Sequence, residues 1–149
     1  MAIAIRPLLD SDREQWQRLY YSYLHFYESE PFEKATEILW RRLVADEAQI
    51  QSAAIEVDGV IAGFAHFHYQ LSTWTHGWHC YLEDLFVDES FRGQGLATAL
   101  IAHVKARALA KKCSELYWIT RESNQAARRV YDKLAKLSDF VRYEVLLED

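Results

Sequence analysis

Apolar and polar positions recur along this chain with two different periods, and the switches between them mark its elements. Residues 2–7 read as a first strand. Trp16, Leu19, Tyr20, Tyr23, Leu24 and Tyr27 then follow at three- and four-residue spacing, the stripe of an amphipathic helix. Ser11-Asp12-Arg13-Glu14 ahead of it has capping-box form, which predicts a Ser11 cap with Glu14 reaching back. Glu28-Ser29-Glu30-Pro31 ends the stripe, and a second helix is expected over about residues 33–45. Strands over 51–57 and 60–69 flank Asp58-Gly59, a tight-hairpin signal. A loop over 71–77 leads into a strand ending at Val87. A helix over about 95–111, a strand over 114–120, a helix over 124–137 and a last strand over 140–147 complete the pattern. The order β-α-α-β-β-β-α-β-α-β predicts a mixed α/β fold, a single domain over residues 1–149.

Composition narrows the class. A chain of 149 residues is long enough to bury about 68–70% of its unfolded surface in one core. No stretch approaches the ~20 apolar residues that span a bilayer, so a soluble protein without a membrane partner is expected. Met-Ala-Ile-Ala-Ile-Arg-Pro has no leader pattern, and Cys80 and Cys113 lie outside any metal or redox spacing. Both features favour reduced thiols in the cytoplasm. The net charge of −5 comes without a Lys/Arg stripe, which speaks against nucleic acid and is compatible with a cationic small substrate.

The candidate chemistry is concentrated in residues 81–101. An apolar strand, a short polar turn and a loop with Gly93 and Gly95 open a helix. Glycines let successive backbone N–H groups converge on one point, and a helix start adds unpaired N–H groups and the positive end of its dipole. A diphosphate is the expected guest. The loop is not a Walker A loop, because Leu96 and Ala97 follow Gly95 where Lys-Ser/Thr is required. It is not a dinucleotide fingerprint either: Thr98 stands at the third-glycine position, and residues 111–118 carry Lys111, Lys112 and only Glu115.

The whole string, Leu-Glu-Asp-Leu-Phe-Val followed by Arg-Gly-Gln-Gly-Leu-Ala, resembles the coenzyme A-binding motif of the GNAT superfamily of N-acetyltransferases. Asn124, Ala127, Arg128 and Tyr131 share one helix face, and Asn-x-x-Ala-x-x-x-Tyr is similar to the second stretch of the same pattern. The resemblance implies a central mixed, mostly antiparallel sheet flanked by helices, acetyl-CoA as cosubstrate without a metal, and a homodimer. It assigns Leu85, Phe86, Val87, Arg92, Gly93, Gln94, Gly95, Leu96, Ala97, Thr98, Asn124, Ala127 and Tyr131 to the cosubstrate. A backbone N–H near Leu85 or Phe86 would meet the acetyl carbonyl, and the Tyr131 hydroxyl would meet the thioester sulfur.

The implied reaction needs two proton transfers. A thiol ionises near about 8.5, so a phenol of pKa about 10 can donate to the departing sulfur, which makes Tyr131 the candidate general acid. A primary amine of pKa about 10.4 is neutral in only about one molecule in 10³ at pH 7, so something must take its proton. Glu83 and Asp84 are adjacent in the strand before the loop, and alternation puts them on opposite faces, so one alone would face the acceptor. The stretch around them is similar to the diamine (spermidine/spermine) branch, where the acid matching Glu83 lies in the acceptor site. Glu83 is therefore the catalytic candidate. Glu28, Glu30, Glu33, Asp84 and Trp74 are candidates for the acceptor pocket.

His66, His68, His76 and His79 complete no recognised zinc spacing and read as surface or pocket histidines. The preferred acceptor is a diamine, polyamine or amino-acid-like amine. A protein N-terminus or lysine is the alternative within the class, and a non-catalytic CoA sensor or scaffold the alternative outside it. One departure stands out: where the superfamily commonly continues Leu-Gly-Phe after the tyrosine, this chain continues Asp132-Lys133-Leu134-Ala135-Lys136-Leu137.

Overall fold

The computed structural model describes residues 1–147. The elements run β1 (Ile3–Arg6), α1 (Arg13–Phe26), α2 (Glu33–Val44), β2 (Gln51–Val57), β3 (Val60–Leu71), β4 (Trp78–Val87), α3 (Leu96–Ala110), β5 (Cys113–Tyr117) and α4 (Gln125–Leu134). Short 3-10 turns at Asp10–Asp12 and Glu89–Phe91 precede α1 and α3. The mixed α/β class expected from the pattern is what forms. The residues up to Ile119 make one compact unit, and the described residues from Thr120 on make another.

The first unit is built on a five-stranded sheet in the order β1-β2-β3-β4-β5, antiparallel except for the parallel pair β4–β5. Asp58-Gly59 makes the predicted hairpin, with positive φ at both residues as such a turn requires. Alternation sends the two faces of the sheet to different partners. Ala54, Ile61, Phe64 and Phe86 meet Trp16 and Leu19 of α1 and Trp40 and Leu43 of α2 in one core cluster. On the other face, next to Phe67, Arg107 of α3 lies over the ring at 5.9 Å. Leu96, Leu100, Ile101, Val104 and Ala108 are the buried residues of α3. Gly63 holds β3 tightly against the end of β4, since a Cβ there would stand 2.6 Å from the carbonyl oxygen of Phe86.

Three expectations are corrected. Ser11 does not cap α1. It sits exposed in the 3-10 turn, and the Asp12 carboxylate instead accepts the Leu9 N–H at 2.7 Å and two N–H groups of Arg6 at 2.7 and 3.0 Å. An aspartate that can bind a partly buried guanidinium bidentately gains more there than a serine gains at a helix end. The last strand, expected over 140–147, does not form. β propensity requires a paired edge to act on, and among the described residues none pairs with this segment. The helix expected over 124–137 ends at Leu134, where Ala135 turns to extended backbone.

Candidate active site

Beyond Val87, the chain turns through Glu89–Phe91 and arrives at Gly93 and Gly95, with φ of +80° and +76°. These left-handed conformations are the ones glycine adopts without penalty. A Cβ on either glycine would meet no heavy atom within 4 Å, so the loop borders open space. The first intrahelical bond of α3 runs from the Ala99 N–H to the Gly95 carbonyl, and no side chain caps the helix. The N–H groups of Leu96, Ala97 and Thr98 therefore remain outside the helical ladder, beside the loop carrying Gln94. Arg92 turns back: its Nε–H donates to the Val87 carbonyl at 3.1 Å and its guanidinium lies 5.5 Å from the centre of the Phe86 ring. A glycine loop beside an uncapped helix start that borders open space has the features an anion such as a diphosphate requires.

The strand that runs up to this loop has an unpaired edge. β4 pairs with β5 only as far as Tyr81 opposite Tyr117, so residues 82–87 run on without a β5 partner. Leu85, Phe86 and Val87 lie on this free edge and keep their β3 pairs.

Glu83 and Asp84 are not on opposite faces. His66 pairs with Asp84 and the next residue, Phe67, with Leu82, so Glu83 is the extra residue of a β-bulge. Its consequence is direct. His66 and His68, two residues apart on β3, share a face, and each receives one of the adjacent acids: His66 Nδ1 is 2.9 Å from Asp84 Oδ2, and His68 Nε2 is 2.8 Å from Glu83 Oε1. The sequence signal was there in combination, since two histidines at i and i+2 can each reach one of two neighbouring acids only if the facing strand bulges.

The two pairs differ in their surroundings. His66 is buried and also accepts the indole N–H of Trp16 at 3.0 Å, while Asp84 Oδ1 accepts the Tyr23 hydroxyl at 2.7 Å. Burial opposes ionisation of Asp84, but the bonds from His66 and Tyr23 outweigh it and hold the carboxyl below its ordinary value. Burial, together with the charges of Asp84 and Glu83, raises the Tyr20 phenol to about 12. Tyr23 is pushed up further, by burial and then by Asp84. His68 and Glu83 are half-open, with side chains 27% and 48% exposed. The His68 ring lies 5.5 Å from that of Tyr81, which stacks on Tyr117 at 4.9 Å, and Tyr117 donates to Gln70.

Other candidates fall elsewhere. Trp74 is 83% exposed in the β3–β4 turn. That turn abuts the C-terminal end of α3, where a Cβ on Gly77 would lie 2.8 Å from the Lys112 carbonyl. The 15 residues of α3 span about 22 Å, so Trp74 and the glycine loop stand at opposite ends of this helix. Glu28, Glu30 and Glu33 are exposed where α1 gives way to α2; that segment begins just beyond Tyr27, whose ring packs on Tyr23 at 5.2 Å. Cys80 is buried and its thiol is pushed up to about 12 by burial and then by the Cys113 charge.

In the second unit Asn124 precedes α4. Its side-chain amide donates to Thr120 Oγ1 at 3.1 Å, and its carbonyl accepts the Arg128 N–H at 3.0 Å. Ala127 and Tyr131 follow on the same helix face, and the Tyr131 carbonyl accepts the Ala135 N–H at 2.9 Å.

Known proteins match this arrangement. The sequence profile of the Acetyltransferase (GNAT) family matches residues 12–135. The chain is 28% identical over 144 residues to a D-amino-acid N-acetyltransferase of Saccharomyces cerevisiae, covering 95% of this chain and 89% of that protein. It is 36% identical over 88 residues to a thialysine N-epsilon-acetyltransferase of Bos taurus, covering 58% of this chain and about half, 51%, of the relative. Among solved structures, AAC(6')-Iy in complex with the bisubstrate analogue CoA-S-monomethyl-acetylneamine superposes with a TM-score of 0.79 at 25% identity, over 99% of this chain and 100% of that one.

Proposed function

The chain belongs to the GNAT acetyltransferase family and is an acetyltransferase, and from that premise we propose that it acetylates a primary amine of a small molecule, a diamine, polyamine or amino-acid-like amine. The observation that carries the reading is the solvent-open loop of Gly93 and Gly95 at an uncapped helix start, preceded by the unpaired edge of β4, which carries Glu83 at its bulge. Acetyl-CoA, when bound there, supplies an activated acetyl thioester.

The residues of the chain then divide the work. The N–H groups of residues 93–98 hold the diphosphate, with Arg92, Gln94 and Thr98 at its border. A backbone N–H of Leu85 or Phe86 donates to the acetyl carbonyl as charge builds on its oxygen. Asn124 and Ala127 line the pantetheine arm. Tyr131 gives its proton to the departing sulfur, and the Glu83 carboxylate belongs to the group that receives the proton the amine must lose. Transfer is direct: Cys80 is buried with its ionisation suppressed, so it is a poor acyl carrier.

Support for a small acceptor comes from the relatives named for D-amino-acid and thialysine N-epsilon acetylation. Support for a cationic one comes from Glu28, Glu30 and Glu33, exposed beside the end of α1 whose Tyr23 reaches Asp84. Such a cluster attracts a cation over a distance that salt shortens. The protein works as a single-domain homodimer in the cytoplasm, in keeping with its two unpaired cysteines.

The test is release of free thiol from acetyl-CoA with spermidine, diamines, D- and L-lysine-like amino acids and an N-terminal peptide, each at two ionic strengths. A cationic small amine should give the highest kcat/KM, and that value should fall with salt and with Glu30→Gln plus Glu33→Gln. A peptide as best substrate, or cationic substrates indifferent to both changes, would overturn the acceptor class. Acetyl-CoA binding without transfer to any amine would make the protein a sensor.

A further inference from the structure

We propose that His68, held by Glu83, is the group that takes the proton from the acceptor amine, so that the base of this enzyme is a carboxylate–imidazole pair. The inference rests on the acetyl-transfer reading above and assigns a role to a residue that the sequence pattern left among surface or pocket histidines.

The geometry carries it. A carboxylate at 2.8 Å from Nε2 can only accept, so that nitrogen carries the hydrogen and the lone pair of the neutral imidazole is on Nδ1. Nδ1 has no hydrogen-bond partner among the described residues, and the ring is partly open to solvent. The neighbouring pair is built differently: His66 uses both ring nitrogens, on Trp16 and Asp84, and is buried. One bulge thus presents two carboxylate–imidazole pairs side by side, one sealed into the core and one with a basic nitrogen to spare.

The location agrees. From Val87, next to the diphosphate loop, back to the bulge at Glu83 is four residues of extended strand, about 13 Å. An extended chain anchored at Gly93 and Gly95 and running along the free edge of β4 brings its far end to the bulge. The ionisable groups around the pair are Glu83, Asp84 and Tyr81 on β4, His66 on β3, Tyr20 and Tyr23 on α1, and Tyr117 on β5. All are acids, phenols or the sealed imidazole, so an imidazolium formed at His68 has anionic neighbours and no fixed cation among these groups.

In the step itself the ammonium N–H passes its proton to Nδ1 of His68, and the freed lone pair attacks the acetyl carbon. The carbon–sulfur bond breaks, and the thiolate takes a proton from Tyr131. The acylated nitrogen gives up its second proton, which restores the Tyr131 phenol through water, and the imidazolium returns its proton to water. Atoms and charge balance without another reactant.

The experiment compares wild type, His68→Gln, His68→Gly and Glu83→Gln as full-length proteins, with the best amine of the panel. The expected result is a kcat for His68→Gln lowered at least about tenfold, toward the 10²–10⁴ that a positioned base supplies, with acetyl-CoA affinity and Tm unchanged. The acidic limb of the kcat/KM profile should give way to a rate rising tenfold per pH unit with the fraction of free amine. Added imidazole should restore part of the activity of His68→Gly. A His68→Gln enzyme with wild-type kcat and profile, beside an inactive Glu83→Gln, would overturn the proposal and leave Glu83 as sole acceptor. Loss in His68→Gln with an unaltered pH profile and no imidazole rescue would overturn it too, reducing His68 to a support for Glu83. Absence of turnover by the wild type with every amine would fail the acetyl-transfer reading itself.

Discussion

The indole N–H of Trp16 donates to Nε2 of His66 across 3.0 Å, and both side chains are buried. This contact fixes a tautomer, because a nitrogen that accepts cannot also carry the hydrogen. Nδ1 is therefore the protonated nitrogen and donates to Asp84, whose other oxygen accepts from Tyr23. Helix α1 is thus bonded to the sheet by a polar chain of four side chains with every buried group satisfied, running through the middle of an aromatic cluster.

His66→Phe should break that chain at its centre. The ring volume is kept, but the indole N–H and one carboxylate oxygen lose their partners. Two orphaned groups, one of them charged and only partly shielded, should cost about 2–4 kcal/mol. Urea unfolding followed by tryptophan fluorescence measures it. A loss below about 1 kcal/mol would mean that the neighbours rearrange to satisfy both groups.

Acid should weaken the fold through a second cluster. The Asp12 carboxyl is held below the usual carboxylate range chiefly by the bond from Arg6, against the cost of burial, with the Leu9 N–H and the Arg6 charge adding to it. A carboxyl lowered in the folded state binds its proton more readily when unfolded. Its contribution is therefore complete above the ordinary value of about 4 and is lost as pH falls through the folded one. Asp84 is shifted in the same direction and adds to the effect. Asp12→Asn should be less stable than wild type at pH 7, by at least about 1 kcal/mol, and the difference should narrow between pH 4 and pH 2. Equal slopes of stability against pH in that window would rule the cluster out as an acid-sensitive element.

The sequence was informative where local rules decide the outcome. Asp58-Gly59 marked its hairpin, Gly93 and Gly95 the left-handed turns that open α3, and Trp16, Leu19 and Tyr23 the core-facing side of α1. It was silent where the outcome depends on a partner. Alternation is a rule about a regular strand, and it separated Glu83 from Asp84. The bulge that reunites them depends on β3, where His66 and His68 stand at the spacing of two. Ser11 looked like a cap until Arg6, from another strand, claimed its neighbour Asp12. Residues 140–147 have the composition of a strand, but composition cannot supply the edge a strand must pair with. Trp74 was named for its size, and its place at the far end of α3 follows only from the packing of Gly77 on Lys112.

The cradle assignment separates backbone strain from ligand contact in a paired experiment. Gly59 and Gly95 have nearly the same φ, +83° and +76°, and a Cβ on either meets nothing within 4 Å. Leucine at either position forces a left-handed conformation on an L residue, at about 1–2 kcal/mol of fold stability. Only Gly95→Leu also fills the space where the diphosphate is expected. Both variants should show similar losses of Tm, and only Gly95→Leu should weaken acetyl-CoA at least tenfold, or ~1.4 kcal/mol. Equal affinities by calorimetry would remove the loop from the binding site.

Tyr131→Phe tests the other end of the reaction. The substitution deletes one oxygen and keeps the ring that α4 carries at the seventh position after Asn124. If the phenol serves only to pack, phenylalanine serves as well and kcat is unchanged. If it protonates the departing sulfur, the effect falls on the chemical step, because a thiolate of pKa about 8.5 must then leave without a donor. The expected result is a kcat lowered about 10²-fold or more, with a dissociation constant for acetyl-CoA within a factor of about two of wild type, since the hydroxyl's interaction strengthens only as charge develops. A poorer leaving group should suffer more than a better one, so replacing the thioester by an oxygen ester analogue should widen the gap between the two enzymes. Equal kcat at saturating amine and acetyl-CoA, with product release excluded by a single-turnover measurement, would mean that the thiolate departs unassisted or that another donor serves it.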